Sequence, residues 1–405
     1  MRASNLLISQ FLLFSSLLYA QDSNASLEQY LSTNKQEQFG LDFEKNSAES
    51  SKLHDSWISP ININYSYSRS NPYTKEQVQE SASINLNQTI FQSGGIYFAI
   101  KYAEASKKYG NLSIDVAKRK MIKDALALLI QIKQSDLKIQ RQEIQIDNAK
   151  IKLEQNKEQY LSGVLDSGFL DDAIIKKNVA TQTLYDMQTA KERLISQFKV
   201  ISDTDYKKLQ IPNLRFITQE EFLADNIVLD MYGSDIQKNR YQKNVTTAKY
   251  LPKVSLTAGY NWSKSSNLSL SQNISFSNEL NYYDYGFKVY MPLDINTFRD
   301  IESSRVDYLK SKLIVEDKKK EMLSLYEQVA QNINNYDKKI ALSSENQALY
   351  EKLLKDTKKL FKVGYKSEYD VDLLQNSVDI SKLDHKIFYL DKQLELLSLY
   401  EMWKQ

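Results

Sequence analysis

Apolar and polar positions follow two rhythms along this chain. Four segments alternate strictly. Ile61, Ile63, Tyr65 and Tyr67 interleave with Asn62, Asn64, Ser66 and Ser68, and Ile84 and Leu86 stand between Ser83, Asn85 and Asn87. Val254, Leu256, Ala258, Tyr260 and Trp262 alternate with Ser255, Thr257, Gly259, Asn261 and Ser263. Tyr285, Phe287, Val289 and Met291 alternate with Gly286, Lys288 and Tyr290. Successive side chains of a strand point to opposite faces, so each segment predicts a strand with one apolar face, most of them backed by Ser and Asn. Such strands suit a boundary between lipid and a wet lumen, although a soluble sheet with one face on a core alternates in the same way. No other segment offers that sheet a core, which favours a barrel. The connectors "RSNPYTKEQVQES" and "KSSNLSLSQNISFSNELN" are polar, as solvated hairpin loops are.

The second rhythm has a period of seven. Ile130, Leu137, Ile144 and Ile151 form one series, and Ile132, Ile139, Ile146, Leu153 and Tyr160 another. Offset by two positions, the series lie about 200° apart round a helix. Between them runs Gln131, Lys138, Gln145, Lys152, Gln159, and the remaining rows include Lys133, Gln140, Asp147, Glu154 and Asp136, Glu143, Lys150, Lys157. Two apolar seams separated by two polar faces describe a helix with a neighbour on each side and water in front and behind, a stave in the wall of a tube. A two-stranded coiled coil needs only one seam. Only Gly110 interrupts the run from residue 96 to 162, which has no Pro. A continuous helix there would reach about 100 Å. A second long helix, residues 298–362, carries a looser seam of Tyr326, Ile333, Ile340, Leu354 and Phe361, broken by Gln347. Met322, Val329 and Tyr336 lie beside it, and Leu342 and Leu349 start an opposite flank.

Four strands cannot close a barrel by themselves, since single-chain barrels begin at about eight. An open edge in lipid leaves backbone groups unpaired at several kcal/mol each, so several copies of the chain must share one barrel.

Composition supports long elements, because 405 residues include only 10 Gly and 5 Pro. With 53 Lys plus Arg against 51 Asp plus Glu, a net of +2, no global field draws in nucleic acid. There is no Cys, and the only imidazoles are His54 and His385. Gly-rich phosphate loops, nucleophile elbows and metal-ligand clusters are missing, so no enzymatic activity, cofactor or metal is expected. Arg2 followed by the apolar run Leu6–Ala20 predicts a secretory signal peptide over residues 1–20. Gln21, where a lipidated chain would have Cys, argues against a lipid anchor.

Two stretches repeat each other, "YLSGVLDSGFLDDAIIKKNVA" from Tyr160 and "LFKVGYKSEYDVDLLQNSVDI" from Leu360. Their spacing pairs Ser167 with Ser367, Phe169 with Tyr369 and Asp172 with Asp372, with one extra residue in the first bend between Gly163 and Ser167. The chain is a tandem repeat, each half reading strand, polar loop, strand, helix, bend, returning helix. The boundaries expected are an N-terminal segment 21–57, a first repeat 58–198, an inter-repeat segment 199–250 with turn signals at Ile211-Pro212-Asn213 and Gly233 and short helical patterns, and a second repeat 251–405.

This layout, with "LPKVSLTAGYNW" entering a strand, "VYMPLDINTFR" leaving one and the "FKVGYKSEYDVDLL" bend, resembles the outer-membrane efflux protein family, the TolC-like channel-tunnel proteins. The resemblance covers essentially all of the chain after residue 20. It implies a homotrimer in the outer membrane of a Gram-negative-type cell. Its mixed α and β fold would be a twelve-stranded transmembrane barrel, four strands per protomer, continued by a long periplasmic α-helical barrel with a small equatorial region. It further implies an exit duct for efflux or type I secretion, served by a periplasmic adaptor and an inner-membrane transporter. By the same resemblance Asp370 stands at a constriction position and Asp372 beside another, while Phe361 and Lys366 occupy the positions that latch the closed tip. Phe361 has no hydroxyl and Lys366 no bidentate fork. In the first bend Asp166, Asp171 and Asp172 are the candidates, and Gly163, Ser167, Gly364 and Ser367 mark the bends that would meet the adaptor. An exported structural or adhesive coiled-coil protein is the alternative; it accounts for the helices but not for the strands.

Overall fold

The computed structural model describes residues 27–71, 76–269 and 274–404; the expected signal peptide lies outside them. Four strands, β1 (Asn62–Ser70), β2 (Gln77–Phe91), β3 (Lys253–Ser269) and β4 (Ile274–Tyr290), form one sheet in the order β1-β2-β3-β4. Every pairing is antiparallel. The helices are α1 (Thr33–His54), α2 (Gly95–Leu161), α3 (Ser167–Ile201), α4 (Gln219–Ala224), α5 (Ile227–Lys249), α6 (Thr297–Lys362) and α7 (Glu368–Tyr400). None is long and apolar enough to cross a membrane among the described residues.

The strand register brings the alternating positions together. Ile63, Ile84, Tyr260 and Tyr283 align across the sheet, as do Leu86, Ala258 and Tyr285. This apolar face is bare: Ile63 is 76% exposed, Tyr285 82% and Phe287 75%. On the other face polar groups bond laterally. Ser66 Oγ lies 2.8 Å from Ser81 Oγ, and Asn261 Nδ2 donates to Asp284 Oδ1 at 3.0 Å. Gly259 sits between Asn85 and Asp284, whose carboxylate would stand 2.6 Å from any added Cβ. A face of that size left apolar and uncovered needs lipid or protein against it. Among the described residues β1 and β4 each pair on one side only, which leaves both edges of the sheet open.

The helix α2 runs 67 residues without interruption and α6 runs 66. The two flanks of α2 meet different neighbours, as its two seams require. On one flank Gln142 Nε2 donates to Ala180 O of α3 at 2.9 Å, Asn156 Nδ2 to Phe169 O at 2.9 Å, and Asp136 pairs with Lys191 at 2.6 Å. On the other, Gln134 donates to Asp391 of α7 at 2.6 Å, Arg141 to Asp384 at 2.7 Å, and Asn376 to Asn148 at 2.8 Å. Polar groups inside such a seam fix which helices pair and in what register. The result is a row of four helices, α3-α2-α7-α6. Its outer members keep apolar residues without a neighbour, among them Ile175 and Val179 on α3 and Leu342, Leu349, Leu353 and Leu360 on α6.

A girdle packs on one side of this row. Ile130, Leu129, Ile132, Ile195 and Phe198 form a buried core with Tyr30, Leu31, Phe39 and Leu209. A second core joins Met322, Val329 and Ile333 of α6 to Ile217, Phe222 and Leu396. The inter-repeat segment differs from the short helical patterns expected of it. It holds the 23-residue α5, which leads into β3 as α1 leads into β1. Gly233, read as a turn signal, lies inside α5 with open space where a Cβ would be. Gly110 is there for proximity instead: α1 lies antiparallel along α2 here, and Asn46 donates to Lys107 O at 3.0 Å and Asn111 Oδ1 at 2.8 Å. A Cβ on residue 110 would fall inside the Asn46 side chain.

Two substitutions therefore move stability in opposite directions. Gly233→Ala should stabilise by about 0.5–1 kcal/mol, the usual helix-interior difference. Gly110→Ala should destabilise and release α1, read by denaturant midpoint and by proteolysis of residues 33–54. The seams predict a second contrast. Ile144→Asp puts a charge between α2 and α7 at a cost of several kcal/mol. Gln145→Asp, on an exposed row, should stay within about 0.5 kcal/mol.

Candidate functional site

The two bends lie at the end of the helix row remote from the sheet, and both are built the same way. At the close of α2, Gly163 has φ 75°, its N–H donates to Tyr160 O at 3.0 Å, and Val164 N–H reaches back to Gln159 O at 2.8 Å. At the close of α6, Gly364 has φ 80°, its N–H donates to Phe361 O at 3.0 Å, and Tyr365 N–H donates to Leu360 O at 2.9 Å. A left-handed glycine with this pair of backward bonds satisfies the last carbonyls of a helix. Asn or Gly tolerate such φ values; other residues are strained there.

The returning helices start on caps. Asp166 caps α3, its carboxylate accepting from Gly168 N–H at 3.3 Å and from Ser167 Oγ at 3.1 Å. Ser367 caps α7, its hydroxyl accepting from Asp370 N–H at 3.2 Å. Asp370 reciprocates, one carboxylate oxygen accepting from Ser367 N–H at 3.0 Å and from its Oγ at 2.9 Å. This is a capping box.

These caps correct the alignment of the two bends. Each bend has five residues between its helices, 162–166 and 363–367. The expected extra residue does not exist in three dimensions. Asp166 is the counterpart of Ser367, and Asp171, rather than Asp172, is the counterpart of Asp372. The spacing of serines misled because the first bend caps with an acid and carries its Ser one position later. Ser167 is the first residue of α3 rather than its cap. Asp171, Asp172 and Asp372 are exposed, and Asp172 pairs with Lys176 at 2.6 Å.

The second bend concentrates the electrostatics. The hydrogen bonds from Ser367 hold the Asp370 carboxyl below the usual carboxylate range, with Lys366 and Lys152 adding to the effect. Lys366 Nζ stands 3.9 Å from the other Asp370 oxygen. Phe361, expected at a latch position, is 43% exposed and offers only its ring. A contact that sequence spacing does not reveal joins the two hairpins: Tyr369 Oη donates to Glu158 Oε1 at 2.9 Å, and that carboxylate pushes the phenol's pKa up. The usable signal was elsewhere. Asp370, Ser377, Asp384 and Asp391 recur every seven residues, and the last two are the acids turned toward α2.

With this architecture in hand, the chain can be set beside known proteins. No protein-family model matches the sequence. No curated protein matches it either. Solved structures do. The CmeC outer membrane channel of Campylobacter jejuni superposes with a TM-score of 0.71 at 12% identity, over 94% of this chain and 86% of CmeC. The outer membrane protein VceC of Vibrio cholerae gives 0.70 at 13% identity, over 94% and 96%. The open state of the Neisseria gonorrhoeae MtrE outer membrane channel gives 0.61 at 12%, over 93% and 87%.

The fold is that of the TolC-like outer-membrane channels. In the TolC-like fold a protomer brings four strands and a row of long helices, which is the inventory found here. The match extends over 93–94% of this chain and 86–96% of the three channels. The likeness lies in the arrangement of elements, since so few residues are shared.

The cap geometry sets an expected outcome. Ser367→Ala should cost about 1 kcal/mol of local helix stability. Because the folded Asp370 pKa is depressed, its contribution is present above the unfolded value and lost as pH falls through the folded one. Amide exchange at residues 364–370, corrected for intrinsic rates, should therefore accelerate below about pH 4. In Asp370→Asn that pH dependence should vanish.

Proposed function

We propose that this chain is the outer-membrane exit duct of a tripartite efflux or type I secretion system. In this reading three copies close a twelve-stranded barrel through the outer membrane, and their helix rows close a tunnel into the periplasm. A periplasmic adaptor joins the tunnel to an inner-membrane transporter, and the chain is exported by its signal peptide. The observation that carries the reading is the open four-stranded sheet. One face is apolar and bare, the opposite face bonds its own Ser and Asn side chains, and both edges lack partners among the described residues. In lipid those edges must find strands of other copies. The exported adhesive coiled coil gives no reason for such a sheet.

The bends are then the periplasmic tips. Asp370 lies at the tip end of α7, where the exposed Lys152 of α2 acts on its carboxylate, and this supports a position facing the pore. Three copies would form a carboxylate ring there, with Asp372 and, on the first bend, Asp166, Asp171 and Asp172 as further acids near the opening. Lys366 tempers the ring; Phe361 leaves the latch to other contacts. Gly163, Ser167, Gly364 and Ser367 shape the surface offered to the adaptor. The domain scheme follows the same division: 58–198 and 251–405 each supply two strands and one hairpin, and the segments before them supply the girdle together with α1 and α5, which pack on the long helices.

Outer-membrane fractions should contain heat-modifiable trimers. Detergent-solubilised protein that sediments as a folded monomer with full strand content would sink the proposal. In planar bilayers Asp370→Ala should lower cation preference and weaken block by multivalent cations, leaving trimer stability unaltered. An unchanged selectivity would move the ring to Asp372 or to the first bend.

A further inference from the structure

The girdle identifies the two sides of the helix row. Lys133 of α2 donates to Leu209 O at 2.7 Å, Tyr389 of α7 to Asn213 at 2.9 Å, and Tyr326 of α6 to Ile217 O at 3.1 Å. All three residues face the covered side. At 100° per residue, Gln131 and Lys138 lie about 140–160° round α2 from Lys133, on the bare side. Their neighbours crowd them closely. Gln134 and Arg141, which bond to α7, lie about 40–60° to one side of Lys138, and Ile139 and Gln142, which face α3, about 40–100° to the other. A stave in a closed ring keeps the narrower arc between its neighbours on the inside. The row Gln131, Lys138, Gln145, Lys152 therefore faces inward.

The charges along that arc are unequal in kind. Asp384 is neutralised by Arg141 at 2.7 Å. Asp391 takes a neutral donor, Gln134, at 2.6 Å. Asp370 is held by its cap and by Lys366. Lys152 hydrogen-bonds the amide oxygen of Gln155 at 3.4 Å and is close enough to Asp370 to help hold that carboxyl down, without pairing to it. Lys138 and Lys152 have no carboxylate within ion-pair distance among the described residues, and Lys152 is exposed. Two seven-residue steps separate them, about 21 Å along the helix.

We propose that Lys138 and Lys152 line the bore as two cationic levels and that the tunnel above its tips favours anionic cargo, molecules bearing carboxylate, sulfonate or phosphate groups. The proposal rests on the duct reading. A ring of like charges in a narrow, low-dielectric passage raises the local concentration of the opposite ion. The acids near these lysines are spent on caps and wall contacts, so the lysines set the sign of the field between Gln131 and the tip. In a trimer each level would carry three ammonium groups, and cations would meet them immediately after the Asp370 ring.

The test is reversal potential in planar bilayers under a potassium chloride gradient. The Lys138→Gln, Lys152→Gln double variant should lower the chloride-to-potassium permeability ratio by at least about twofold. The shift should be larger at 0.1 M salt, with a Debye length of about 10 Å, than at 1 M, where it is about 3 Å. Lys150→Gln, on an outward row and paired with Asp147 at 2.9 Å, should leave the ratio unchanged. Channels of normal conductance with an unaltered ratio in the double variant would overturn the proposal, as would an equal shift in Lys150→Gln. A wild-type protein that forms no channels would instead overturn the duct reading beneath it.

Discussion

Backbone hydrogen bonding at the two edges of one sheet governs this molecule. The strands β2 and β3 have a neighbour on each side, while among the described residues β1 and β4 each leave one edge without a partner strand. In water such edges are a liability; in hydrocarbon they are prohibitive. The same chain leaves one face of the sheet apolar and uncovered, so the sheet suits neither a soluble monomer nor a membrane-inserted one. The proposed assembly would answer that constraint for the sheet, and the helices carry a matching one. α3 and α6 end the helix row with apolar residues lacking neighbours, as β1 and β4 end the sheet with unpaired backbone.

The helices solve a different problem with similar means. A wall one helix thick has no interior, so each helix must find apolar contact on two flanks and tolerate water on two faces. α2 does so with two seams of Ile and Leu, and its register is fixed by Gln134, Arg141, Gln142 and Asn156 bonding across to fixed partners. Buried polar groups of this kind contribute less to stability than to uniqueness of pairing. The girdle then marks one side of the wall, and so distinguishes outside from inside without any reference to cargo.

Much of this was legible in the sequence because it depends on periodicity. The strict alternation around Tyr65 and Tyr260, the two seams through Ile144 and Ile146, and the paired Gly163 and Gly364 each reflect one local rule. Other features depend on close approach between distant segments. Gly110 looks like a flaw in a helix until Asn46 is placed against it, and Gly233 looks like a turn although nothing but helix surrounds it. The first bend was misaligned because Asp166 and Ser367 cap equally well with different chemistry, so matching letter for letter chose the wrong serine. The Tyr369–Glu158 contact joins residues 211 apart in sequence, and no spacing rule reaches that far. Asp370 was legible as an acid at the tip, but its role in the cap required the geometry of Ser367.

The bond between Tyr369 and Glu158 also bears on how such an end could move. It ties the start of α7 to the last turns of α2, so the two hairpins of one chain are fastened near their tips as well as along their lengths. Rotation of one hairpin against the other would break that bond and the Asn376–Asn148 contact above it. In the proposed assembly dilation would be cheaper where α3 and α6 meet other copies, because no bond within the chain would span that boundary. Each protomer would then swing as one rigid body, with the aperture widening at the seams between subunits.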